Sequence, residues 1–372
     1  MTKKAPWRVF MVLAAAVLLL SAGRLLHLAF TIDETGLKRT VVEAVRQHEL
    51  LAWLDSPWVN ARWADFRVGP ITASPKATRE EILEKLKQTF GPAPEGCKDA
   101  PLNLEVVGEE EFEDHLRRKI AYDSCGVTVP AYLLIPKGFD GPRPAAVVMH
   151  ASFPEGKDHL VTQSSIRRVT LGLGLVRRGF VVIAPDSLAF GERSGEKAGS
   201  DFYRTHPGWS VAGRMVFDHQ RAVDVLVSLP TVAPNKIAAV GHSLGGHNAL
   251  FLAAFDARIK ATVASSSYER IDTDPLRDRW TRGFGYFSVE RWQTAAWDFD
   301  DVLAAIAPRA VFSVTALMDG NHEHPYTVGQ IYEAVKGRFP ENRLQSRFFL
   351  GGHGFPPHLQ SQAWSWLQRH LG

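Results

Sequence analysis

Apolar and polar positions along this chain change their spacing near residue 104. Before that point the spacing is helical, because apolar side chains in residues 35–54 recur near helical spacing. Thr78, with Glu81 three positions later, has the pattern of a capping box and predicts a second helix over residues 78–90. We expect both helices to pack on the edge of the domain that follows.

After residue 104 the chain shows short apolar runs bounded by turn residues, which is the pattern of β-strands. These runs predict strands at residues 104–107, 117–122, 127–135, 145–149, 180–184, 237–240, 261–264, 310–314 and 346–350. Helical spacing returns between them near residues 164–178, 211–229, 246–255, 327–338 and 357–370. Paired strands followed by alternating strands and helices predict an α/β fold with a mostly parallel central sheet, helices on both faces and antiparallel N-terminal edge strands.

Two connections, residues 186–210 and 266–298, are longer than is usual between strands and helices. Each follows a predicted strand, so each lies at the edge where open α/β sheets bind ligands. The second is rich in aromatic residues: Tyr268, Trp280, Phe284, Tyr286, Phe287, Trp292 and Trp297. We expect a lid and a pocket wall; insertions with a small core of their own are the alternative. Asp186 is expected to hold a loop through hydrogen bonds to the backbone.

The sequence Gly-His-Ser-Leu-Gly at residues 241–245 stands between a predicted strand and a helix-forming run. Gly-x-Ser-x-Gly in this position is typical of a nucleophile elbow, in which a sharp strand-to-helix turn exposes the hydroxyl of the serine, here Ser243. The glycines leave room for the bend and for close approach of helix and strand. Because a serine hydroxyl is a weak nucleophile by itself, the hypothesis requires a base and an orienting acid elsewhere.

His353 is the predicted base. It follows the last predicted strand and stands between glycines, a setting in which a loop can return an imidazole over the sheet edge. Asp319 follows the preceding strand and completes the chain order Ser, Asp, His, so it would accept the imidazole N–H and stabilise the imidazolium. Competing carboxylates are Glu323 and three residues that precede the strand and are expected at its wrong end or in the insertion, Asp298, Asp300 and Asp301.

Backbone N–H groups that would stabilise an oxyanion are predicted next to the same serine. One is the N–H of Leu244, directly after the nucleophile. The second is expected in the 150–153 loop that follows the fourth strand, where we favour Ser152 over Ala151 or Phe153. The assignment of the loop is therefore more definite than the assignment of the residue.

Four side chains are candidates for substrate contact: His242, Phe153, Trp209 and Trp280. Tryptophans in the two long connections fit either stacking on sugar rings or a plain apolar wall, and the sequence leaves both open. His322 and His324 resemble a metal-binding pair, but no third ligand accompanies them in the sequence. We therefore predict no metal site and no cofactor.

The N-terminal 30 residues have the pattern of an export segment. Two lysines precede an uncharged, mostly apolar run over residues 9–22, which is short for a membrane span, and small residues at 21–23 suit cleavage. More apolar residues follow, so an uncleaved anchor that attaches to the membrane through residues 7–30 is one alternative, and a buried helix is another. With either signal or anchor, we expect the catalytic domain outside the cytoplasm, in the periplasm or the extracellular space.

The charge of the chain argues against nucleic acid as a partner. The 43 lysines and arginines outnumber the 40 acidic residues by three, and Lys3, Lys4 and Arg8 account for the whole excess. The remainder of the chain is therefore neutral. Cys97 and Cys125 are the two cysteines, and the sequence leaves open whether they form a disulfide or remain two thiols.

Taken together, the Gly-His-Ser-Leu-Gly-Gly elbow, the loop Asp319 and the terminal Gly-His-Gly resemble the α/β-hydrolase superfamily. Ala-Pro-Asp at residues 184–186 and Phe-Gly-Glu-Arg at 190–193 are similar to its acetyl-xylan-esterase-like and dienelactone-hydrolase-like branch. The resemblance covers about residues 104–372. It implies an α/β-hydrolase fold and a serine esterase that removes acyl groups from sugars or other small alcohols.

Two features depart from that branch. Strict dienelactone hydrolases have a cysteine nucleophile where this chain has Ser243. Many relatives have His-Gly where this chain has His-Ala-Ser at residues 150–152, so a slightly larger residue stands in the loop and could narrow the acyl pocket.

We expect three segments: an export signal or anchor over residues 1–30, a helical extension over 31–100 and a catalytic domain over 101–372. The predicted activity is hydrolysis of a carboxylic ester, as deacetylation or short-chain ester cleavage, on a small-molecule or carbohydrate substrate. A serine peptidase related to the prolyl oligopeptidases and a non-catalytic binding protein on the same scaffold are the alternatives. The oligomeric state is left open by the sequence.

Overall fold

The computed structural model describes residues 77–162, 170–196, 198–271, 280–281, 285–317, 319 and 325–372. All of them belong to one compact unit, Leu54–Gly372. The predicted export segment, the predicted helix over residues 35–54, Phe284 and the competing Glu323 lie outside the described residues, and the segment boundaries stay predictions. Within the described ranges, no helix combines the length and the apolar character that a membrane crossing requires.

In the described part of the chain, nine strands form a single sheet. They are β1 (Glu105–Glu111), β2 (His115–Ser124), β3 (Val127–Pro136), β4 (Arg143–Met149), β5 (Val181–Pro185), β6 (Val232–His242), β7 (Ile259–Ser265), β8 (Ala310–Ala316) and β9 (Leu344–Phe349). Their order in space is β1-β2-β3-β5-β4-β6-β7-β8-β9. In this spatial order, the first three neighbouring pairs, from β1 to β5, are antiparallel. The remaining five pairs, which begin with β5 and β4, are parallel. The predicted fold class is confirmed.

Helices cover both faces of this sheet. They are α1 (Arg79–Phe90), α2 (Asp158–Val161), α3 (Leu171–Val176), α4 (Ser200–Thr205), α5 (Val211–Ser228), α6 (Leu244–Phe255), α7 (Val289–Gln293), α8 (Phe299–Ile306), α9 (Pro325–Val335) and α10 (Pro357–Leu371), with 3-10 turns at Gly191–Arg193 and Lys336–Arg338. The predicted capping box begins α1, because the Thr78 hydroxyl accepts from the Glu81 N–H and the Glu81 carboxylate accepts from the Thr78 N–H.

Helix α8 is an element that the apolar pattern did not predict. A capping box begins it, since the side chain of Asp298 accepts a backbone N–H of the first turn and the Asp301 carboxylate accepts the Asp298 N–H at 3.3 Å. The sequence signal for this helix was an Asp with a second Asp three positions later, directly before an apolar run. The helix is short, so its apolar residues do not complete enough turns to show a period.

Alternate residues of the central strands enter two hydrophobic cores, one on each face of the sheet. In β4, Val147 lies in the core covered by α1, α5, α6 and α8, and Val148 lies in the core covered by α3 and α10. Because both faces are buried, the central strands are nearly continuous apolar runs. Their parallel direction brings the ends of β4, β6, β7, β8 and β9 to one edge of the sheet.

Cys97 and Cys125 form a disulfide in this structure, one of the two states that the sequence left open. The bond ties the segment after α1 to the turn between β2 and β3. Arg214 of α5 holds the same turn, because its guanidinium donates to the carbonyl oxygens of Ser124 at 2.5 Å and of Cys125 at 3.3 Å. The antiparallel edge is therefore fastened to the helical layer at this point.

Candidate active site

Ser243 occupies a sharp turn between β6 and α6. Its φ of 57° and ψ of −123° are unusual for a residue with a side chain and cost about 1–3 kcal/mol. A Cβ on Gly241 would lie 2.1 Å from the carbonyl of Gly245, and a Cβ on Gly245 would lie 2.0 Å from the Met149 oxygen. The two glycines thus permit the helix to start directly against the strands, which holds the serine in the strained turn.

His353 and Asp319 meet at the same edge of the sheet. The loop after β9 carries His353, and its Nδ1 lies 2.6 Å from Oδ2 of Asp319, which follows β8. The Asp319 side chain is 2% exposed and that of His353 is 21% exposed. The carboxylate is therefore buried behind a partly accessible imidazole, which is the arrangement that orients a catalytic base.

Two serines at the end of β7 secure the histidine loop. The hydroxyls of Ser265 and Ser266 donate to the Gly354 carbonyl at 3.3 Å and 3.5 Å. His242 packs beside them, with its Nδ1 3.3 Å from the Ser265 hydroxyl and its ring centroid 4.8 Å from that of His353. The structure thus brings His242 to the predicted triad, where it supports the imidazole from one side.

The loop after β4 runs alongside the serine turn, since Met149 pairs with Gly241 in the parallel ladder. His150 is buried and holds the loop from inside: its Nε2 accepts from the Ser187 N–H at 2.9 Å, so Nδ1 donates to the Ala151 carbonyl at 2.7 Å. Burial lowers the pKa of His150 to about 4. The ring therefore stays neutral and keeps this tautomer at neutral pH.

Of the predicted oxyanion donors in this loop, Phe153 is the least suitable, because its N–H is already engaged. Its N–H already donates to the Ala151 carbonyl at 2.7 Å, and its ring packs against that of His159 with centroids 4.9 Å apart. Ser152 and Ala151 are the remaining candidates in the loop. Leu244 begins α6, where the first N–H groups of a helix have no partner within the helix.

A buried ion pair anchors the far end of this loop. Lys157 Nζ lies 2.7 Å from Asp186 Oδ2 and also contacts Glu192. Burial lowers the pKa of Lys157, but hydrogen bonds to the two carboxylates outweigh that effect and hold the pKa above its usual value. Asp186 also accepts from the N–H groups of Lys157 at 2.8 Å and Glu192 at 3.0 Å. Asp186 thus holds a loop as predicted; the sequence offered no signal for Lys157.

A small cavity lies between one face of α6 and the second long connection. It is lined by Ala212, Met215, Leu244, His247, Asn248, Phe251, Trp280, Tyr286 and Phe287. The space holds about one water-sized group. Of the predicted substrate-contacting tryptophans, the structure brings Trp280 to this cavity, beside the residue that follows Ser243.

The structure does not bring Trp209 to the cavity. Its ring packs 5.7 Å from that of Phe217, and the Arg214 guanidinium lies 5.2 Å from its centre. Trp292 and Trp297 of the second connection pack instead into an aromatic core with Phe90, Phe251, Phe287 and Phe299. The second connection therefore supplies both a wall of the cavity and part of the main core on that face of the sheet, to which Trp280, Trp292 and Trp297 all belong. The alternative of an insertion with a small core of its own does not describe these rings.

The described residues contain no group of three His, Cys, Asp or Glu side chains arranged to hold a metal ion.

Two of the competing carboxylates, Asp298 and Asp301, cap the start of α8, as shown above. Asp298 also accepts from the Ile271 N–H at 3.2 Å. Burial raises the pKa of Asp298 to about 6, against hydrogen bonds from Phe299 and Ile271 that lower it.

Comparison with known proteins extends these observations. Residues 129–270 match the dienelactone hydrolase family. The putative hydrolase YtaP of Bacillus subtilis (strain 168) is 30% identical over 254 residues, which cover 65% of this chain and 81% of that protein.

Two solved structures share the fold. The glucuronoyl esterase from Solibacter usitatus aligns with a TM-score of 0.62 at 17% identity, over 82% of this chain and 95% of its own. Acetyl xylan esterase 1 from Thermoanaerobacterium sp. JW/SL YS485 aligns with a TM-score of 0.55 at 15% identity, over 78% of this chain and 99% of its own. At such identities the likeness shows the fold alone.

The parallel sheet with antiparallel edge strands, together with a serine on the turn between β6 and α6, defines an α/β-hydrolase-fold enzyme. The resemblance drawn from the sequence is confirmed at this level. The chain belongs to the dienelactone hydrolase family and is an esterase-like hydrolase.

Proposed function

We propose that the chain is a serine ester hydrolase in which Ser243, His353 and Asp319 act as a catalytic triad. The observation that carries the proposal is the 2.6 Å contact of His353 Nδ1 with Asp319 Oδ2, at the edge where Ser243 is held in its turn. A buried carboxylate keeps the proton on Nδ1, so Nε2 is the basic nitrogen for the serine hydroxyl.

In the proposed reaction, His353 takes the hydroxyl proton while Ser243 Oγ forms a bond to the ester carbonyl carbon, whose oxygen becomes an oxyanion. The N–H groups of Leu244 and of Ser152 or Ala151 stabilise that charge. The carbon–oxygen bond to the alcohol then breaks, and the alcohol leaves with the proton from His353. Water attacks the acyl-enzyme with His353 again as the base, which releases the acid and restores Ser243.

The proposed substrate is an acetyl or other short-chain ester of a small alcohol or carbohydrate. A cavity with room for about one water-sized group beside Leu244 supports a short acyl chain, since a methyl group is of similar size. The names of the similar structures, a glucuronoyl esterase and an acetyl xylan esterase, support a carbohydrate as the alcohol.

The first test is removal of the nucleophile. Ser243→Ala should abolish hydrolysis of p-nitrophenyl acetate and labelling by a fluorophosphonate probe, with the fold unchanged by circular dichroism. Ser228→Ala is the matched control, because Ser228 is an exposed serine whose hydroxyl donates to the Val225 carbonyl at 2.8 Å. Turnover that persists in Ser243→Ala would overturn the proposal.

A substrate panel tests the proposed class. Acetylated sugars, alkyl esters of increasing acyl length and proline-linked peptide amides should be compared by kcat/KM. We expect the acetyl esters to be preferred over longer acyl chains. Faster cleavage of the amides would favour the peptidase alternative, and equal rates on sugar and alkyl acetates would remove the carbohydrate from the proposal.

We also propose that residues 1–30 direct this domain out of the cytoplasm. The Cys97–Cys125 disulfide supports this location, because disulfides persist in oxidising compartments and are rare in the cytosol. Cell fractionation of the full chain, with thiol titration before and after reduction, tests it. Recovery in the cytosolic fraction with two titratable thiols would contradict the proposal.

A further inference from the structure

Tyr286 is held firmly at the wall of the cavity by its backbone. Its N–H donates to the Trp280 carbonyl at 2.8 Å, and its own carbonyl accepts from the Ala212 N–H of α5 at 3.0 Å. The preceding residue, Gly285, has a φ of 63°, and a Cβ there would lie 2.6 Å from the Gly199 Cα. The two long connections therefore cross in close contact directly before this tyrosine, which leaves its ring little freedom.

The phenol of Tyr286 reaches the loop that is expected to supply an oxyanion donor. Its oxygen lies 3.3 Å from the Ser152 hydroxyl, across 134 positions of sequence. The same ring lines the cavity together with Leu244, the residue directly after Ser243. The Tyr286 hydroxyl thus contacts one of the two segments whose N–H groups are proposed to face the substrate carbonyl, and its residue shares the cavity with the other.

We propose that the Tyr286 hydroxyl contacts the substrate and donates a hydrogen bond to the oxyanion that forms when Ser243 attacks the ester. This assignment rests on the proposed serine esterase function. Tyr286 would then add a side-chain donor, from the second long connection, to the backbone donors at Leu244 and at Ser152 or Ala151. When the phenol donates to the oxyanion, its oxygen can accept from the Ser152 hydroxyl, so the contact between the two is kept.

The protonation state of the phenol agrees with this role. Tyr286 is 6% exposed, and burial raises the pKa of its phenol above the usual value, against a smaller opposite effect of the bond to Ser152. The group therefore remains a neutral donor wherever His353 is able to act as a base. A donor held by the fold before substrate binds is effective, because it needs no reorganisation as the charge develops.

A purely structural role is the competing explanation, and Tyr203 provides its control. Tyr203 lies in α4 of the first long connection, and its hydroxyl donates to the Gly285 carbonyl at 3.1 Å and accepts from the Val211 N–H at 3.3 Å. Tyr203→Phe therefore loosens the same crossing of the two connections without touching the proposed oxyanion contact. Tyr286→Phe removes only the hydroxyl and keeps the ring.

For Tyr286→Phe we expect kcat for p-nitrophenyl acetate to fall on the order of 10²-fold with KM little changed, because the lost contact belongs to the transition state. Methylboronic acid, whose tetrahedral adduct with Ser243 imitates the oxyanion, should lose affinity by a similar factor. Tyr203→Phe should leave kcat and the boronic acid affinity near those of the unmodified chain. Circular dichroism at the assay temperature establishes that both variants are folded.

Unchanged kcat and boronic acid affinity in Tyr286→Phe would overturn the assignment of Tyr286, as would equal losses of both in the two variants. The outcome for Ser243→Ala separates this inference from the function on which it rests. If Ser243→Ala retains turnover, the esterase mechanism itself fails. If Ser243→Ala is inactive and Tyr286→Phe behaves as the unmodified chain, only the role of Tyr286 fails.

Discussion

Replacement of Lys157 by methionine would leave a carboxylate buried without its cation. The side chains of Lys157 and Asp186 are 1% and 0% exposed, with Nζ and Oδ2 2.7 Å apart. Removal of one member of a buried ion pair costs about 3–5 kcal/mol. Asp186 keeps two backbone donors, the N–H groups of residues 157 and 192 at 2.8 Å and 3.0 Å. We therefore expect the lower end of that range, about 3 kcal/mol.

Urea unfolding followed by circular dichroism measures this loss, and p-nitrophenyl acetate turnover measures its effect on the site. We expect Lys157→Met to lower kcat as well, because Lys157 ends the loop that carries Ser152. Lys119→Met is the matched control: Lys119 Nζ also pairs with Glu192, at 2.7 Å, but the two side chains are 38% and 45% exposed. A surface pair of this kind is worth about 0–1 kcal/mol.

The double variant Lys157→Met/Asp186→Asn tests the physical cause. If the loss in the single variant arises from an unpaired buried charge, removal of that charge should recover part of the stability. A cost below about 1 kcal/mol for Lys157→Met, or no recovery in the double variant, would refute the reasoning. Equal losses in Lys157→Met and Lys119→Met would also refute it, because burial would then make no difference.

Two further predictions concern α8 and the serine turn. Burial raises the pKa of Asp298 from an ordinary 3.8 to about 6 in the folded chain, so the folded state favours the protonated form. The stabilisation from this group is therefore present below pH 4 and is lost as the pH rises to 6. The free energy of unfolding should fall by about 2 kcal/mol over that range. Asp298→Asn should lack that decline in urea unfolding followed from pH 4 to 7, and an unchanged profile would contradict the burial of this carboxyl. Gly245→Ala should destabilise the chain by roughly 3 kcal/mol or more, since its Cβ would lie 2.0 Å from a backbone oxygen. Thermal melts measure the effect: Gly329→Ala in α9, where a Cβ meets nothing within 4 Å, should be neutral or stabilising, and similar losses in the two glycine variants would contradict the steric explanation.

Local signals in the sequence were sufficient for the nine described strands, the longer helices and the serine turn, but not for short helices such as α8. Strand, Gly-x-Ser-x-Gly and helix are contiguous, so residues 237–255 specify the turn around Ser243 by themselves. Asp319 and His353 were predicted because each follows a strand, and parallel strands end at one edge of a sheet. The structure brings those two side chains to 2.6 Å, while their catalytic roles stay proposals.

Contacts between distant segments depended on the tertiary structure. The pairing of Lys157 with Asp186 and the contact of Ser152 with Tyr286 span 29 and 134 positions. No period or motif encodes such a partner, because a side chain's neighbours across a core are set by how whole elements pack. Trp209 and Trp280 show the same limit: both are tryptophans in long connections, yet only Trp280 reaches the cavity. The sequence by itself determined the strands, the longer helices and the position of the nucleophile turn, since these depend on neighbouring residues. Only the packed structure decided which buried groups support that turn and which aromatic rings close the space beside it.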